Sequence, residues 1–425
     1  GYAGLYIGTF TFALAAGAIE AAVNPVTATL FSHSKTRYLN MLHAGWPGGL
    51  VLGGILVILL GTVGGANAWR WKVALLLIPT FVYGLMMLGQ KFPVQERVAA
   101  GVSYHDMLRE FGWAGCFIIS TFLAYAVDEI LRVFGMHLNL PTMAVIALAP
   151  TILFAARVRS FGQPVFIFLM LVMILLATTE IGTDSWIAAL MTPVLAKLGS
   201  NAGNFVLIYT SSIMFALRFC AGPIVHRISP LGLLTVCAAV ASTGLFCLAH
   251  AGAAPILVFL AATCYGIGKS FFWPTTLGVV SERFPKGGAL TLSAIAGVGM
   301  ISAGVLGNPL LGAIQDRFLD QALARENAAL HAQVAAAPMS KFGFTYQPLD
   351  KDKIAALPVA DREEVEHIIT VNNQATLAKV ALLPAIMFFC YLGLLGYFKS
   401  RGGYGQVRIQ STQNLKTSAS ASATS

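Results

Sequence analysis

Eleven long apolar runs divide this chain, and each is close to the length that crosses a bilayer as a helix. About 20 predominantly apolar residues span the hydrocarbon core. Backbone N–H and C=O groups in lipid must be paired within the segment, so runs of this length are expected to be helical. The approximate spans are 5–31, 41–64, 71–91, 112–131, 141–157, 164–191, 204–225, 231–250, 255–280, 289–314 and 377–398.

Composition supports the same class of protein. The 425 residues are 57% hydrophobic and only 11% charged, whereas a soluble domain has about 25% charged residues. The 42 glycines suit closely packed membrane helices. The alternating ten-residue pattern of a transmembrane barrel does not occur. The sequence therefore predicts an all-α integral membrane protein whose partner is the lipid bilayer.

The sequence lacks the patterns that would indicate nucleic-acid binding, a metal site or an enzyme. The net charge of +9 does not indicate nucleic acid, because in a membrane protein the position of charge matters more than its sum. The six cysteines lie in apolar segments without a CxxC or Cys/His pairing, so we expect no metal site or disulfide framework. HExxH, GxSxG and P-loop motifs are absent. We therefore expect neither an enzyme nor a bound cofactor.

The distribution of lysine and arginine predicts the orientation in the membrane. If the first helix enters from outside, the short outer loops and helix ends hold Arg70, Lys72, Arg132 and Lys197. The predicted inner side holds Lys35, Arg37, Lys91, Arg97, Arg109, Arg157, Arg159, Arg227, Arg283, Lys286, Lys399, Arg401, Arg408 and Lys416. We therefore expect a multi-pass protein of the cell (inner) membrane with a cytoplasmic C-terminus and an outer loop at 315–376.

Two stretches of sequence repeat one pattern. GAIEAAVNP, residues 17–25, coincides with GIGKSFFWP, residues 266–274, when the sequence is shifted by 249 residues (266 − 17). The shift superimposes the prolines and places Glu20 on Lys269. A basic loop (SHSKTR or SERFPK) and a glycine-rich helix follow each stretch. Many transporters are built from two related halves around a midplane site, so we expect Glu20 and Lys269 to face one water-filled cavity.

The region GAIEAAVNPVTATLF…TRYLNMLHAGWPGG resembles helices four and five of the fucose permease group of sugar–proton symporters, in the major facilitator superfamily. That group has an acidic residue shortly before Asn-Pro in helix four and an Asn-containing start to helix five. Glu20, Asn24, Pro25 and Asn40 match this pattern. The resemblance implies a major facilitator fold of two pseudo-symmetric helical bundles.

The same resemblance implies a domain layout. The first three helices of the family fold are expected to be missing, and segments 112–131 and 141–157 form an extra hairpin between the halves. GPIVHRISPLG resembles the family's glycine–basic loop between helices eight and nine. The predicted divisions are the remainder of the N-terminal bundle at 1–91, a cytoplasmic loop with the extra hairpin at 92–163, the C-terminal bundle at 164–398 and a disordered cytoplasmic tail at 399–425.

Ionisable side chains inside the membrane are costly and point to function. Glu20 lies four residues before Asn24, so both project from one helix face. We predict that Glu20 carries a proton, since a buried carboxyl group can exchange one near neutral pH, and that Asn24 contacts the solute. A structural ion pair between Glu20 and a basic residue is the alternative.

Lys269 and Trp273 share a helix face in the second repeat. We predict that both contact the solute, Lys269 as a donor or a counter-ion and Trp273 by stacking on a sugar or a base. The alternative is a locked salt bridge beside an aromatic core residue. Asn40 and His43 are further candidate solute contacts, although a lone histidine near a helix start is more often structural.

TTEIGTDSW, residues 178–186, is the densest polar cluster in any predicted helix. Glu180 and Asp184 lie on one face, and two nearby carboxylates disfavour joint ionisation, so one is expected to hold a proton. The alternative places them at the outer mouth as gating residues. Arg218 and Arg227 are predicted to gate or anchor, and Arg218 is expected to snorkel to the inner surface.

These features predict a secondary active transporter, with proton-coupled symport of a small polar solute such as a sugar by alternating access. Its other partner would be the proton. One alternative is a nucleoside or organic-anion carrier or exporter of the same superfamily, and Lys269 favours an anion only if it is unpaired. Another alternative is a membrane sensor of the same fold that transports nothing.

Overall fold

A computed structural model of the chain describes residues 2–63, 65, 68–199 and 201–409. In this part of the chain, eleven helical spans are long and apolar enough to cross a membrane. The predicted all-α membrane fold is therefore confirmed. Of the predicted disordered tail at 399–425, residues 410–425 lie outside the described residues. The spans are Gly4–Leu30, Lys35–Gly61, Ala68–Met87, Tyr104–Val133, Leu140–Val158, Pro164–Val194, Ala202–Phe219, Pro230–His250, Pro255–Arg283, Gly288–Glu326 and Val359–Lys399.

The first part of the chain forms three of these spans. Its helices are α1 (Tyr2–Leu30), α2 (Lys35–His43), α3 (Gly45–Val63), α4 (Ala68–Ala74) and α5 (Leu77–Met87). Most side chains of α1 and α5 are exposed and apolar. Helices that are hydrophobic on every face suit a lipid environment.

A helical hairpin follows in the middle of the chain. It consists of α6 (Glu96–Ala99), α7 (Tyr104–Val133) and α8 (Leu140–Val158), and α7 packs along α8. Ser103 and Asn139 cap the two long helices by accepting hydrogen bonds from Asp106 N–H and Thr142 N–H. Gly112 kinks α7 at φ 67°, where a side chain would collide with the backbone of Gly162.

The remaining membrane helices form the largest buried core. They are α9 (Pro164–Ala177), α10 (Thr183–Val194), α11 (Ala202–Phe219), α12 (Ala221–Arg227), α13 (Pro230–His250), α14 (Pro255–Lys269), α15 (Phe272–Arg283), α16 (Gly288–Ile301), α17 (Asn308–Glu326), α20 (Val359–Val380) and α21 (Leu382–Lys399). Two π-helical turns, Thr178–Gly182 and Ser302–Gly307, interrupt the spans that contain α9 and α17 and pack against each other. A short 3₁₀ turn occupies Ala196–Leu198.

The segment between α17 and α21 has a second, smaller core. It contains α18 (Ala328–Val334), a hairpin of β1 (Met339–Lys341) and β2 (Phe344–Tyr346), and α19 (Lys351–Ala355). Two helices meet within this segment, because Asn327 ends α17 and caps α18 by accepting from Leu330 N–H at 3.0 Å. The core of this segment is Leu319, Leu323, Leu330, Val334, Val365 and Ile368.

The helices that follow the internal repeat pack in a reciprocal arrangement. Helix α1 contacts α16, and α2 contacts α15. The shift of 249 residues relates α1 to α15 and α2 to α16. It therefore turns the contact between α1 and α16 into the contact between α15 and α2. This is the packing expected where two related bundles meet.

The span predicted at 255–280 is broken between α14 and α15. Pro274 lies at the break: it has no N–H to bond to the carbonyl of Ser270, and proline suits the first turn of the helix that restarts there. The helix accordingly ends at Lys269 and restarts at Phe272. Backbone groups near the centre of this span are thereby released for other partners.

Helices α13 and α14 approach closely at Gly244, where a Cβ atom would lie 2.3 Å from the backbone nitrogen of Tyr265. We expect Gly244→Val to force the two helices apart and to lower the free energy of unfolding by about 1–3 kcal/mol. Thermal unfolding in detergent measures this loss. Gly393→Val on α21 is the matched control, because nothing lies within 4 Å of that position; equal losses in both variants would contradict the close-packing argument.

Candidate functional site

Charged and polar side chains from the first and last parts of the chain meet between α1, α2, the π-helical turn at 178–182, α11 and the α14–α15 break. Trp273 Nε1 donates to Glu20 Oε1 at 3.1 Å, and His43 Nε2 lies 3.8 Å from the same oxygen. The side chain of Glu20 is 24% exposed, whereas Trp273 is buried. The hydrogen bond therefore joins the two repeats directly.

Glu180 and Arg218 form a buried ion pair beside this contact. Arg218 donates to Glu180 Oε1 at 2.8 Å, and the two side chains are 1% and 4% exposed. The second oxygen of Glu180 accepts from Trp273 N–H at 3.2 Å. Arg218 also donates to the carbonyls of Ser270 and His43.

Two backbone groups at the break between α14 and α15 bond to the Glu180–Arg218 pair, and both are freed beside Pro274. The carbonyl of Ser270, four residues before Pro274, has no helical N–H to accept from, and Arg218 Nε supplies a donor at 2.8 Å. Trp273 N–H lies in the first turn of α15, where helix donors lack intrahelical acceptors, and it bonds to Glu180. The expectation that Arg218 reaches the inner surface is wrong, since its donors are used within the protein interior.

Asp184 and Lys269 form a second ion pair on the other side of Glu180. Lys269 donates to Asp184 Oδ1, and its side chain is fully buried. Its ammonium group also lies 5.1 Å from the ring centroid of Tyr265. The hydroxyl group of Tyr265 donates in turn to the carbonyl of Thr179 at 2.8 Å. Lys269 is thus buried in its pair with Asp184 while Glu20 is partly exposed, contrary to the expectation that both face one water-filled cavity.

The two carboxylates of the 178–186 cluster have separate cations. Glu180 pairs with Arg218, and Asp184 pairs with Lys269. The predicted reason for a shared proton was mutual repulsion, and each cation offsets that repulsion locally. The π-helical turn at 178–182 contains Glu180 and ends directly before α10, and such turns are frequent at functional sites.

Asn24 and Asn40 are buried between the two repeats. The amide nitrogen of Asn40 donates to the carbonyl of Thr36 and to Thr275 Oγ1, at 2.8 and 3.2 Å. The Oδ1 atoms of both asparagines accept no hydrogen bond from the described residues. Buried polar atoms are nearly always paired, so these two acceptors are exceptions to that rule.

Arg227 lies apart from this group, exposed at the end of α12. This end of the bundle, where α1 and α15 end and residues 403–409 lie, is the predicted cytoplasmic end and is called the inner end below. Here Lys35 donates to Glu96 Oε2 at 2.5 Å and to the carbonyl of Ser281 at 3.1 Å. The two repeats are therefore bridged at their basic loops.

Glu282 is the second bridge at the inner end. Its Oε1 accepts from the N–H and hydroxyl of Thr36 at 3.3 and 2.6 Å, and its Oε2 accepts from Tyr404 at 2.7 Å. Desolvation and then the charge of Glu282 raise the pKa of the Tyr404 hydroxyl, so it stays protonated and donates. Sequence reasoning overlooked Lys35 and Glu282, although both lie in the repeated loops SHSKTR and SERFPK.

An all-α membrane protein whose two related helical regions enclose buried ion pairs has the architecture of a secondary transporter. The sequence model of the Major Facilitator Superfamily matches residues 1–308. This match covers more than half of the chain, and the chain belongs to that superfamily. A comparison with curated proteins found no match. The closer resemblance to the fucose permease group stays a prediction.

The buried pairs predict an asymmetric response to mutation. Lys269→Ala leaves Asp184 charged and without its cation, so we expect it to lower the free energy of unfolding by about 3–5 kcal/mol. Adding Asp184→Ala removes the unpaired charge, and the double variant is expected to be more stable than the single variant. Thermal unfolding of the purified variants in detergent compares them.

An exposed pair is the control for this comparison. Arg362 and Glu366 lie 3.9 Å apart on the surface of α20, where a pair contributes about 0–1 kcal/mol. Arg362→Ala is expected to shift the unfolding midpoint little. A Lys269→Ala variant as stable as Arg362→Ala would show that the Lys269–Asp184 pair is not a stabilising buried contact.

Proposed function

We propose that this protein is a proton-coupled symporter of a small polar solute, such as a sugar, that works by alternating access. Membership of the major facilitator superfamily supports the coarser function of secondary transport. Proton coupling and the class of solute are inferred from the residues at the meeting of the two repeats.

The observation that carries proton coupling is the environment of Glu20. Its contacts in the described part of the chain include no arginine or lysine, and its carboxylate is partly accessible. Glu180 and Asp184 are instead held in buried ion pairs, where loss of charge would leave a cation unpaired. Glu20 is therefore the carboxylate best suited to exchange a proton with water during a transport cycle.

The contact between Glu20 and Trp273 gives protonation a mechanical consequence. A hydrogen bond to a carboxylate is about twice as strong as one between neutral groups. Protonation of Glu20 weakens its bond to Trp273 Nε1, which lies in the opposite repeat. A proton thereby changes the relative free energies of the arrangements in which the two bundles are close or apart.

Three features support a neutral polar solute over an organic anion. Lys269 is already paired with Asp184, and Arg218 with Glu180, so neither cation needs an anionic ligand. The acceptors Asn24 Oδ1 and Asn40 Oδ1 suit solute hydroxyl groups. The far edge of the Trp273 ring packs against Gly299, and its indole N–H is engaged by Glu20.

The role of Glu20 is tested by Glu20→Gln, which keeps the shape and a hydrogen-bond acceptor but cannot release a proton. We expect solute accumulation driven by a pH gradient to be abolished in proteoliposomes, while solute exchange at equilibrium is retained. Uptake of a radiolabelled sugar panel with and without a protonophore measures both activities.

Glu363→Gln is the matched control, since Glu363 is an exposed carboxylate on α20 away from the two repeats. We expect its accumulation to equal that of the unchanged protein. Full accumulation by Glu20→Gln would remove Glu20 from the coupling mechanism. Absence of any uptake by the unchanged protein, with ligand binding retained, would favour the sensor instead.

The proposed orientation places the C-terminus in the cytoplasm and the segment at 315–376 outside. Ser340 and Ser400 are exposed, and the proposed orientation puts them on opposite sides of the membrane. We expect Ser340→Cys to react with a membrane-impermeant maleimide in intact cells, and Ser400→Cys to react only after lysis. The unchanged protein controls for its own cysteines, and the reverse labelling pattern would invert the orientation.

A further inference from the structure

The inner end contains a cavity of about 370 Å³ whose walls come from three separate parts of the chain. Such a volume is within the range of small-molecule sites. The basic loop after α1 provides one wall, the end of α12 and the start of α13 provide another, and residues 404–406 close a third side. Six of its lining residues define the inner-end basic pocket: His33, Ser34, Arg37, His226, Arg227 and Ser229.

The charge of this pocket is strongly one-sided. Arg37, Arg227, His33 and His226 line it, and all four are exposed. No salt bridge joins either arginine to a carboxylate within the described residues, although Arg37 lies 5.3 Å from the ring centroid of Tyr38. The pocket therefore presents cationic donors that no internal anion neutralises.

Glu282 is the one carboxylate among the described residues that line the pocket. Both of its oxygens already accept hydrogen bonds, one from Thr36 and the other from Tyr404. The carboxylate is therefore directed at these protein donors and pairs with neither arginine. The N-terminus of the 21-residue helix α13 also opens at the pocket, with Ser229 as its cap. The positive end of a helix dipole adds to the attraction for an anion.

We propose that the inner-end basic pocket binds an anion that carries two or more phosphate groups. The planar guanidinium group matches phosphate oxygens with two parallel hydrogen bonds, and Arg37 and Arg227 provide two such groups. A pocket of this volume accommodates more than one phosphate. The diphosphate can belong to a soluble anion or to the headgroup of a lipid such as cardiolipin, since basic pockets at the cytoplasmic side of membrane helices suit both.

The position of the pocket links binding to conformation. Arg37 lies in α2, which follows the first repeat, while Arg227 is the last residue of α12 in the second half of the chain. Gln406, from the C-terminal segment, also lines the pocket and donates to the carbonyl of Ser32 at 2.6 Å. An anion held between these parts favours the arrangement in which they are together at the inner end.

Binding is tested on the purified full chain in detergent, with inorganic pyrophosphate and with cardiolipin as separate probes. We expect one or both to bind the unchanged protein and to raise its unfolding midpoint. Arg37→Gln and Arg227→Gln are each expected to weaken binding about tenfold, because each removes a charge-assisted contact. Calorimetric titration and thermal unfolding provide the two readouts.

Arg157→Gln is the control, because Arg157 is an exposed arginine at the end of α8 and outside the pocket. It is expected to bind both probes as the unchanged protein does. Pyrophosphate binding identifies a soluble anion, and binding of cardiolipin alone identifies a lipid headgroup. The proposal is overturned if neither probe binds, or if Arg157→Gln weakens binding as much as the pocket variants.

Two measurements keep this test independent of other effects. The unfolding midpoint of each variant without a probe reports whether the substitution has damaged the fold, and Arg227→Lys, which keeps the charge but not the planar group, should bind with intermediate affinity. No transport is measured, so the outcome does not depend on the proposed symport. A pocket that binds no probe leaves that proposal unchanged.

Discussion

The buried ion pair of Glu180 and Arg218 holds together the centre of the molecule. Desolvating two charges is costly, and a buried pair persists only when its remaining donors and acceptors are satisfied. Here the backbone satisfies them at one helix break. Pro274 leaves the carbonyl of Ser270 without a helical donor, and Arg218 bonds to it; the N–H of Trp273 bonds to Glu180. A proline, a carboxylate and an arginine from three spans thus depend on one another.

The central residues differ in their access to water, and this difference separates their roles. Lys269 and Asp184 are paired and buried, which suits a fixed element of the scaffold. Glu20 is partly exposed and bonds across the repeats to the indole of Trp273. A group that gains and loses a proton needs access to water. A carboxylate in a buried ion pair lacks that access. The same site therefore combines two buried ion pairs with one partly exposed carboxylate.

The inner end, like the centre, is held by buried charged residues. Lys35 bonds to the carbonyl of Ser281, and Glu282 accepts from Thr36 and Tyr404, so each repeated loop contributes one charged residue to the closure. These contacts hold the loops together and also shape the basic pocket beside them. These contacts and the pocket both lie near the place where α2 packs against α15.

The sequence by itself determined the membrane class, the number of spans and several of the ionisable residues within them, because apolar length and isolated ionisable residues are local properties. Only the tertiary structure decided which charged residues pair with one another. A spacing of four placed Glu180 and Asp184 on one face, but only the packing of α11 and α14 assigned Arg218 to one and Lys269 to the other. Pairing across helices depends on distances between segments far apart in the chain, and no local pattern contains those distances.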